Sequence, residues 1–238
     1  VAILVGRWAA IRASHPAYLV TLVTALALSV VVGLTAVFEH SSAAPPAVPP
    51  RARRRRWRVA IRGSALVGVA ALLGTLLYLR PLPASSVAVG AMAGDSRVTV
   101  SDSSSRIVLR PTRSPRATGL VFFPGALVDP RAYVTNLTPL AAAGYRVVIV
   151  KAPYNIALLD RRAAGDIMDG NPDVASWAVG GHSLGGVAAS SAAVGTDTRI
   201  VGLLLWASYP NGSIASRSGL DAAAVGRASG RVSVSQRV

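Results

Sequence analysis

The stretch Trp177–Val194, WAVGGHSLGGVAASSAAV, decides the reading of this chain. Trp177 to Gly180 is a short apolar run of the kind that forms a buried strand, and a run of small residues suited to a helix opens at Leu184. Between them Gly181-His182-Ser183-Leu184-Gly185 gives the pattern G-x-S-x-G. That pattern needs a strand–turn–helix setting, because the serine has to sit on a sharp, strained turn for its hydroxyl to project above the sheet. Gly181 and Gly185 are the residues that let strand and helix approach without Cβ clashes. The helix N-terminus behind Ser183 supplies partial positive charge where an oxyanion would develop.

Outward from this centre, strands and helices alternate. Tyr145 to Val150 (YRVVIV) is a continuous apolar strand, Ile200 to Trp206 (IVGLLLW) is another, and Leu120 to Phe123 (LVFF) runs into Pro124-Gly125. Helical patterns fall at about Arg131–Ala143, within Asn155–Met168 and at Leu184–Val194. This alternation implies βαβ units and a mostly parallel sheet with helices on both faces. Upstream, Val87–Val89, Arg97–Val100 and Ile107–Leu109 are expected to form short antiparallel strands. Residues 210–238 hold no strong apolar run and read as a poorly ordered tail.

Before residue 80 the composition is different. The whole chain is 52% hydrophobic, 15% charged and carries a net charge of +15. Ala17 to Phe38 is free of charge and reaches roughly 33 Å as a helix, enough to cross a hydrocarbon core of about 30 Å. A second apolar run, Gly63 to Leu79, is near the lower length limit. Between them residues 39–62 combine a Pro/Ala linker with seven arginines from Arg51 to Arg62. Flanked by apolar runs, these arginines read as a cytoplasmic positive-inside loop rather than a nucleic-acid tail. The N-terminal segment 1–16 and the region after Leu79 are then expected on the extracytoplasmic side of a bacterial cell membrane, with the lipid bilayer as a partner. Arg51 to Leu79 alone also has the layout of a signal peptide or signal anchor, which predicts the same side. There is no cysteine, which excludes disulfides and thiol chemistry, and with only three histidines a histidine-rich metal site is not expected; no cofactor or metal is expected.

Residues from about Leu120 to Tyr209 resemble an α/β-hydrolase of the small bacterial membrane-anchored type, through LVFFPGALVDPRAY, LAAAGYRVVIVKAPYNIALLD, WAVGGHSLGGVAAS and VGLLLWASYP. The resemblance implies an α/β-hydrolase domain over 86–209, incomplete at its C-terminal end, preceded by transmembrane helices at 17–38 and 63–79. It implies hydrolysis of an ester or related acyl bond in a small-molecule substrate, through an acyl-serine at Ser183. Oxyanion donors are expected from the N–H of Leu184 and from Ala126, or from its neighbours Gly125 or Leu127. The family's triad continues with an acid and then a histidine. No histidine follows Ser183, and His182 lies within the turn without being the base. His15 and His40 flank the first apolar run, and Asp197 and Asp221 are the carboxylates after the serine. The expectation is therefore a chain truncated or shifted out of frame near Ser213 to Leu220. The alternative function is a non-catalytic membrane-anchored remnant.

Overall fold

A computed structural model of the protein describes residues 7–41, 52–211, 219–225, 227–228 and 231–232. Two compact units divide the chain: Ala17–Arg80, and a unit formed by Val1–Pro16 together with Pro81–Val238.

In the second of these, α1 (Trp8–Ala13) lies before the apolar region, and α4 (Ser86–Gly90) and the sheet lie after it. Seven strands line up in the order β1-β2-β4-β3-β5-β6-β7. They are β1 (Val98–Asp102), β2 (Arg106–Pro111), β3 (Thr118–Phe123), β4 (Arg146–Val150), β5 (Ser176–His182), β6 (Ile200–Trp206) and β7 (Asp221–Val225). β1, β2 and β4 pair antiparallel; β4, β3, β5, β6 and β7 pair parallel. The helices α5 (Val134–Ala142), α6 (Ala163–Asp169) and α7 (Leu184–Ala193) follow β3, β4 and β5.

The two-residue period of the strands explains the two cores. Leu120, Phe122, Val147 and Ile149 point to one face, where they bury with Val134, Leu137 and Ala141 of α5. Val121, Phe123, Val148, Val150 and Val179 point to the other, against Ile167 and Met168 of α6 and Ala188, Ala189 and Ala193 of α7. Central strands covered on both faces read as unbroken apolar runs, so YRVVIV and LVFF were legible as strands.

Two stretches of this unit differ from the sequence reading. Val87–Val89 is helical rather than a strand: Ser85 caps α4, its Oγ accepting from Ala88 N–H at 3.2 Å. Three β-branched or small residues are too few to show a period, and the cap prevails. Within 210–238, Asp221–Val225 forms strand β7 beside β6 rather than a tail, and β8 (Arg227–Ala228) pairs with β9 (Arg231–Val232). The expected frame change falls largely on 213–218, outside the described residues.

The other unit holds two long helices, α2 (Pro16–Ser41) and α3 (Ala52–Tyr78). α3 begins eleven residues before the expected start at Gly63, because arginine is a good helix former and the basic run continues the helix. Each contains a candidate membrane span, Pro16–Thr35 and Val59–Tyr78. Val20, Val23, Val30, Val31, Leu66 and Val67 stand more than half exposed along them, the opposite of a water-soluble core helix. The Tyr18 hydroxyl donates to the Leu76 carbonyl at 2.6 Å, tying the two helices together.

Candidate active site

The parallel register brings the ends of β3 and β5 level, with Phe123 opposite Gly181. Ser183 follows two residues later at φ 51°, ψ −123°, a left-handed conformation that non-glycine residues rarely adopt. Its side chain is exposed, its N–H donates to Trp206 O at 3.0 Å, and its carbonyl accepts from Ser208 Oγ at 2.7 Å. The backbone is thus held in a strained turn from the β6 side. Ser183→Gly removes the Cβ that makes this conformation costly, and is expected to raise stability by about 1 kcal/mol after the entropy of glycine is discounted. Denaturant titration of the two proteins measures it.

The glycines explain how closely the turn packs. A Cβ on Gly181 would collide with the backbone of Gly185, and one on Gly185 with the carbonyls of Phe123 and Pro124. The first turn of α7 therefore rests directly on the end of β3, beside the loop Pro124–Asp129. Gly186 gives the same close approach to Ser208.

That loop is fastened at most of its polar groups. Gly125 N–H donates to Tyr133 Oη at 2.9 Å, Leu127 N–H to Asn155 O at 2.9 Å, and Val128 N–H to Gly125 O at 3.2 Å. Among the described residues, Ala126 and Leu184 are left with N–H groups that take no internal hydrogen bond. Of the three neighbours named as possible loop donors, Gly125 and Leu127 are already committed and Ala126 is available.

His182 is engaged elsewhere. Its Nδ1 lies 2.9 Å from Tyr133 Oη, and its ring meets Trp206 edge-on at 5.6 Å between centroids. Gly125 already donates to that phenol oxygen, so the phenol proton is free to point at Nδ1, leaving Nε2 as the protonated nitrogen. Burial pulls the imidazole below its ordinary value of 6.5. His15 is shifted the same way, by burial first, with Asp160 opposing and Lys151 adding. With a folded-state value below the unfolded one, the unfolded chain binds more protons between the two. Stability contributed here is then full above about pH 6.5 and lost as pH falls through the window beneath it. Unfolding midpoints should decline as pH falls below about 6.5, and His182→Gln should flatten part of that slope.

The sequence did not point to Tyr133, Asn155, Asp129 or Ser208. Asp129 is fully buried and paired with Arg131 at 2.6 Å. Asn155 is 4% exposed at φ 55°. An asparagine after Pro153-Tyr154, suited to the left-handed region, is the one available hint.

Residues 119–236 match the Alpha/beta hydrolase family, and the elbow and the strands β4 to β7 lie within that span. The chain belongs to the alpha/beta hydrolase family. Solved structures similar to it include carboxyl esterase 2 from the mycorrhizal fungus Tuber melanosporum, at 17% identity and TM-score 0.40, covering 50% of this chain and 47% of that one. An esterase of the bacterial hormone-sensitive lipase family is 17% identical at TM-score 0.42, with 51% and 47% covered. MenH from S. aureus is 21% identical at TM-score 0.38, with 44% and 43% covered. The chain spans about half the length of these solved structures. Among curated proteins none matches it.

In this alpha/beta hydrolase the two carboxylates after Ser183 sit at the wrong end of the sheet for a triad. Asp221 opens β7 opposite Gly202, whereas the elbow adjoins Trp206, whose partner is Val225. Four residues of strand separate the two levels, about 13 Å. Asp197 precedes β6 and binds Arg199 at 2.7 Å, again at the end remote from Ser183.

Proposed function

We propose that the protein is a serine hydrolase that cleaves an ester or related acyl bond through an acyl-serine at Ser183. The observation that carries this reading is the strained Ser183 at the β5–α7 turn, flanked by the uncommitted N–H groups of Leu184 and Ala126. The serine oxygen attacks the acyl carbon, the carbonyl electron pair moves onto oxygen, and the two N–H groups and the helix N-terminus stabilise the charge that forms there. The acyl–oxygen bond of the ester then breaks, the departing alkoxide takes up the proton given up by the Ser183 hydroxyl, and water adds to the acyl-serine to release the acid and restore the hydroxyl. Gly181 and Gly185 are the elbow residues that make the turn possible, and His182 supports the turn and its neighbouring loop. Two transmembrane helices anchor the domain. The arginines at the start of α3 support a topology with that end in the cytoplasm and the hydrolase domain outside it.

A fluorophosphonate probe should label the wild-type protein and leave Ser183→Ala unlabelled; equal labelling of both defeats the proposal. A second reading, a non-catalytic remnant, is favoured by one observation: Asp197 and Asp221 both lie at the end of the sheet remote from Ser183, where neither can support a base beside it. Losing a base costs several orders of magnitude in rate. Turnover of a short acyl ester no faster than the Ser183→Ala background would support the remnant.

A further inference from the structure

The loop that carries Ala126 is held from outside the sheet as well as from within it. Leu82 N–H donates to Leu127 O at 2.6 Å, and Asp129 N–H donates to Leu82 O at 2.9 Å, so residue 82 forms a one-residue parallel bridge to Val128. On the other side of the loop Asn155 accepts from Leu127 N–H through its own carbonyl. Its side-chain Nδ2 donates to Ser14 Oγ at 3.0 Å, and Ser14 Oγ in turn donates to Ala10 O at 2.8 Å, closing onto α1. Ser14 is 5% exposed, and Ala10 and Ile11 of α1 are 1% exposed. Two further bonds fix α1 in place: Arg131 Nη2 donates to Ala9 O at 3.2 Å, and Arg7 Nη1 donates to Pro81 O at 3.0 Å.

Leu127 and Asn155 both carry positive φ, 61° and 55°, without being glycine. Conformations like these persist only where surrounding contacts over-determine them. Here the contacts come from Ser14 and Leu82, which lie two residues before the start of α2 and four residues after the end of α3 along the chain.

We propose that Ser14 and Leu82 are positioning residues for the Ala126 donor: the segments on either side of the two apolar helices hold the oxyanion loop in its working shape. Ser14 acts through Asn155 and Leu127, and Leu82 acts through its backbone alone. This rests on the reading of Ala126 as a donor, but the clamp itself can be measured without any reaction.

The test uses the full chain in detergent micelles, with amide hydrogen exchange of the 125–129 loop as the primary measurement. Ser14→Ala should speed exchange at Leu127 about tenfold and Ser14→Thr, which keeps the hydroxyl, should restore it. Leu82→Pro, which lacks the donating N–H, should loosen the loop, whereas Leu82→Ala should not. The amides of β4 serve as the reference and should stay unchanged in every variant. Unchanged loop exchange in both Ser14→Ala and Leu82→Pro overturns the proposal, as does a general acceleration that includes β4. The second measurement is the rate of fluorophosphonate labelling at Ser183, expected to fall about tenfold in Ser14→Ala and recover in Ser14→Thr. A wild type that is not labelled at all defeats the hydrolase reading, while the exchange result still decides the clamp. Labelling at the wild-type rate in a variant whose loop has loosened overturns the positioning role.

Discussion

Gly185→Ala is expected to lose about 3 kcal/mol or more of stability and to abolish probe labelling at Ser183. The new methyl group would have to occupy space held by the carbonyls of Phe123 and Pro124, both main-chain atoms at the end of the central strand β3. Neither can rotate aside as a flexible side chain would. Relief must come from moving α7 away from β3, which uncovers the small-residue face formed by Gly185, Ala188 and Ala189. Over-packing of a well-filled core costs about 1–3 kcal/mol, and occasionally more. A collision with fixed backbone belongs at the upper end. Lifting α7 also shifts Leu184 N–H and the strained Ser183 together, so reactivity is lost even in the fraction that stays folded. Thermal unfolding and fluorophosphonate labelling of the same sample read the two effects. A variant with wild-type melting and labelling would show that the elbow and β3 do not pack as described.

Phe122→Ala should be nearly as damaging, at about 3–5 kcal/mol, by a different route. Phe122 is fully buried in β3, with its ring 5.0 Å from Tyr133 and 6.1 Å from Trp206 between centroids. Tyr133 and Trp206 also pack on His182, so these four rings form one cluster under the loop. Removing Phe122 leaves a cavity behind Tyr133, whose hydroxyl holds Gly125 N–H. The prediction has two parts: a large drop in the unfolding midpoint, and a further loss of labelling at temperatures where the variant is still folded. Phe122→Leu fills much of the space and should recover most of the stability and less of the labelling. Equal recovery of both would mean that the rings support only the core.

The parts of this fold that could be read in advance are those with a local period. YRVVIV and IVGLLLW announce themselves because strands covered on both faces are apolar without interruption. GHSLGG could be placed on a turn because its glycines stand where strand and helix must touch, and the structure assigns each of them a backbone neighbour at that spacing. Asp221–Val225 was missed for the converse reason. DAAAV has one β-branched residue, and its strand state comes from pairing with β6 rather than from its own preference. The basic half of α3 has the charge pattern of a loop beside a membrane, yet arginine's helix propensity carries the helix through it. Least legible were the contacts that shape the site. Ser14 meets Asn155 across 141 positions, and Tyr133 meets His182 across 49. No pattern within a window of sequence encodes such pairs. The choice of Ala126 over Gly125 and Leu127 likewise needed the hydrogen bonds that commit the other two.

The α/β unit is assembled from two stretches of chain, Val1–Pro16 and Pro81–Val238, with the helical pair encoded between them. During synthesis α1 is made before the sheet, and its binding place on Asn155 and Arg131 is made more than a hundred residues later. Until then it has nothing to fold against, and its docking must wait until β3, β4 and their loops exist. Contacts of such long sequence separation are slow to form because the closure entropy is spent before they return anything. A fragment started at Pro81 to obtain the domain without its helices would therefore omit one of its own pieces. Supplying residues 7–15 as a separate peptide, or grafting them through a short linker, is the direct way to make that fragment whole.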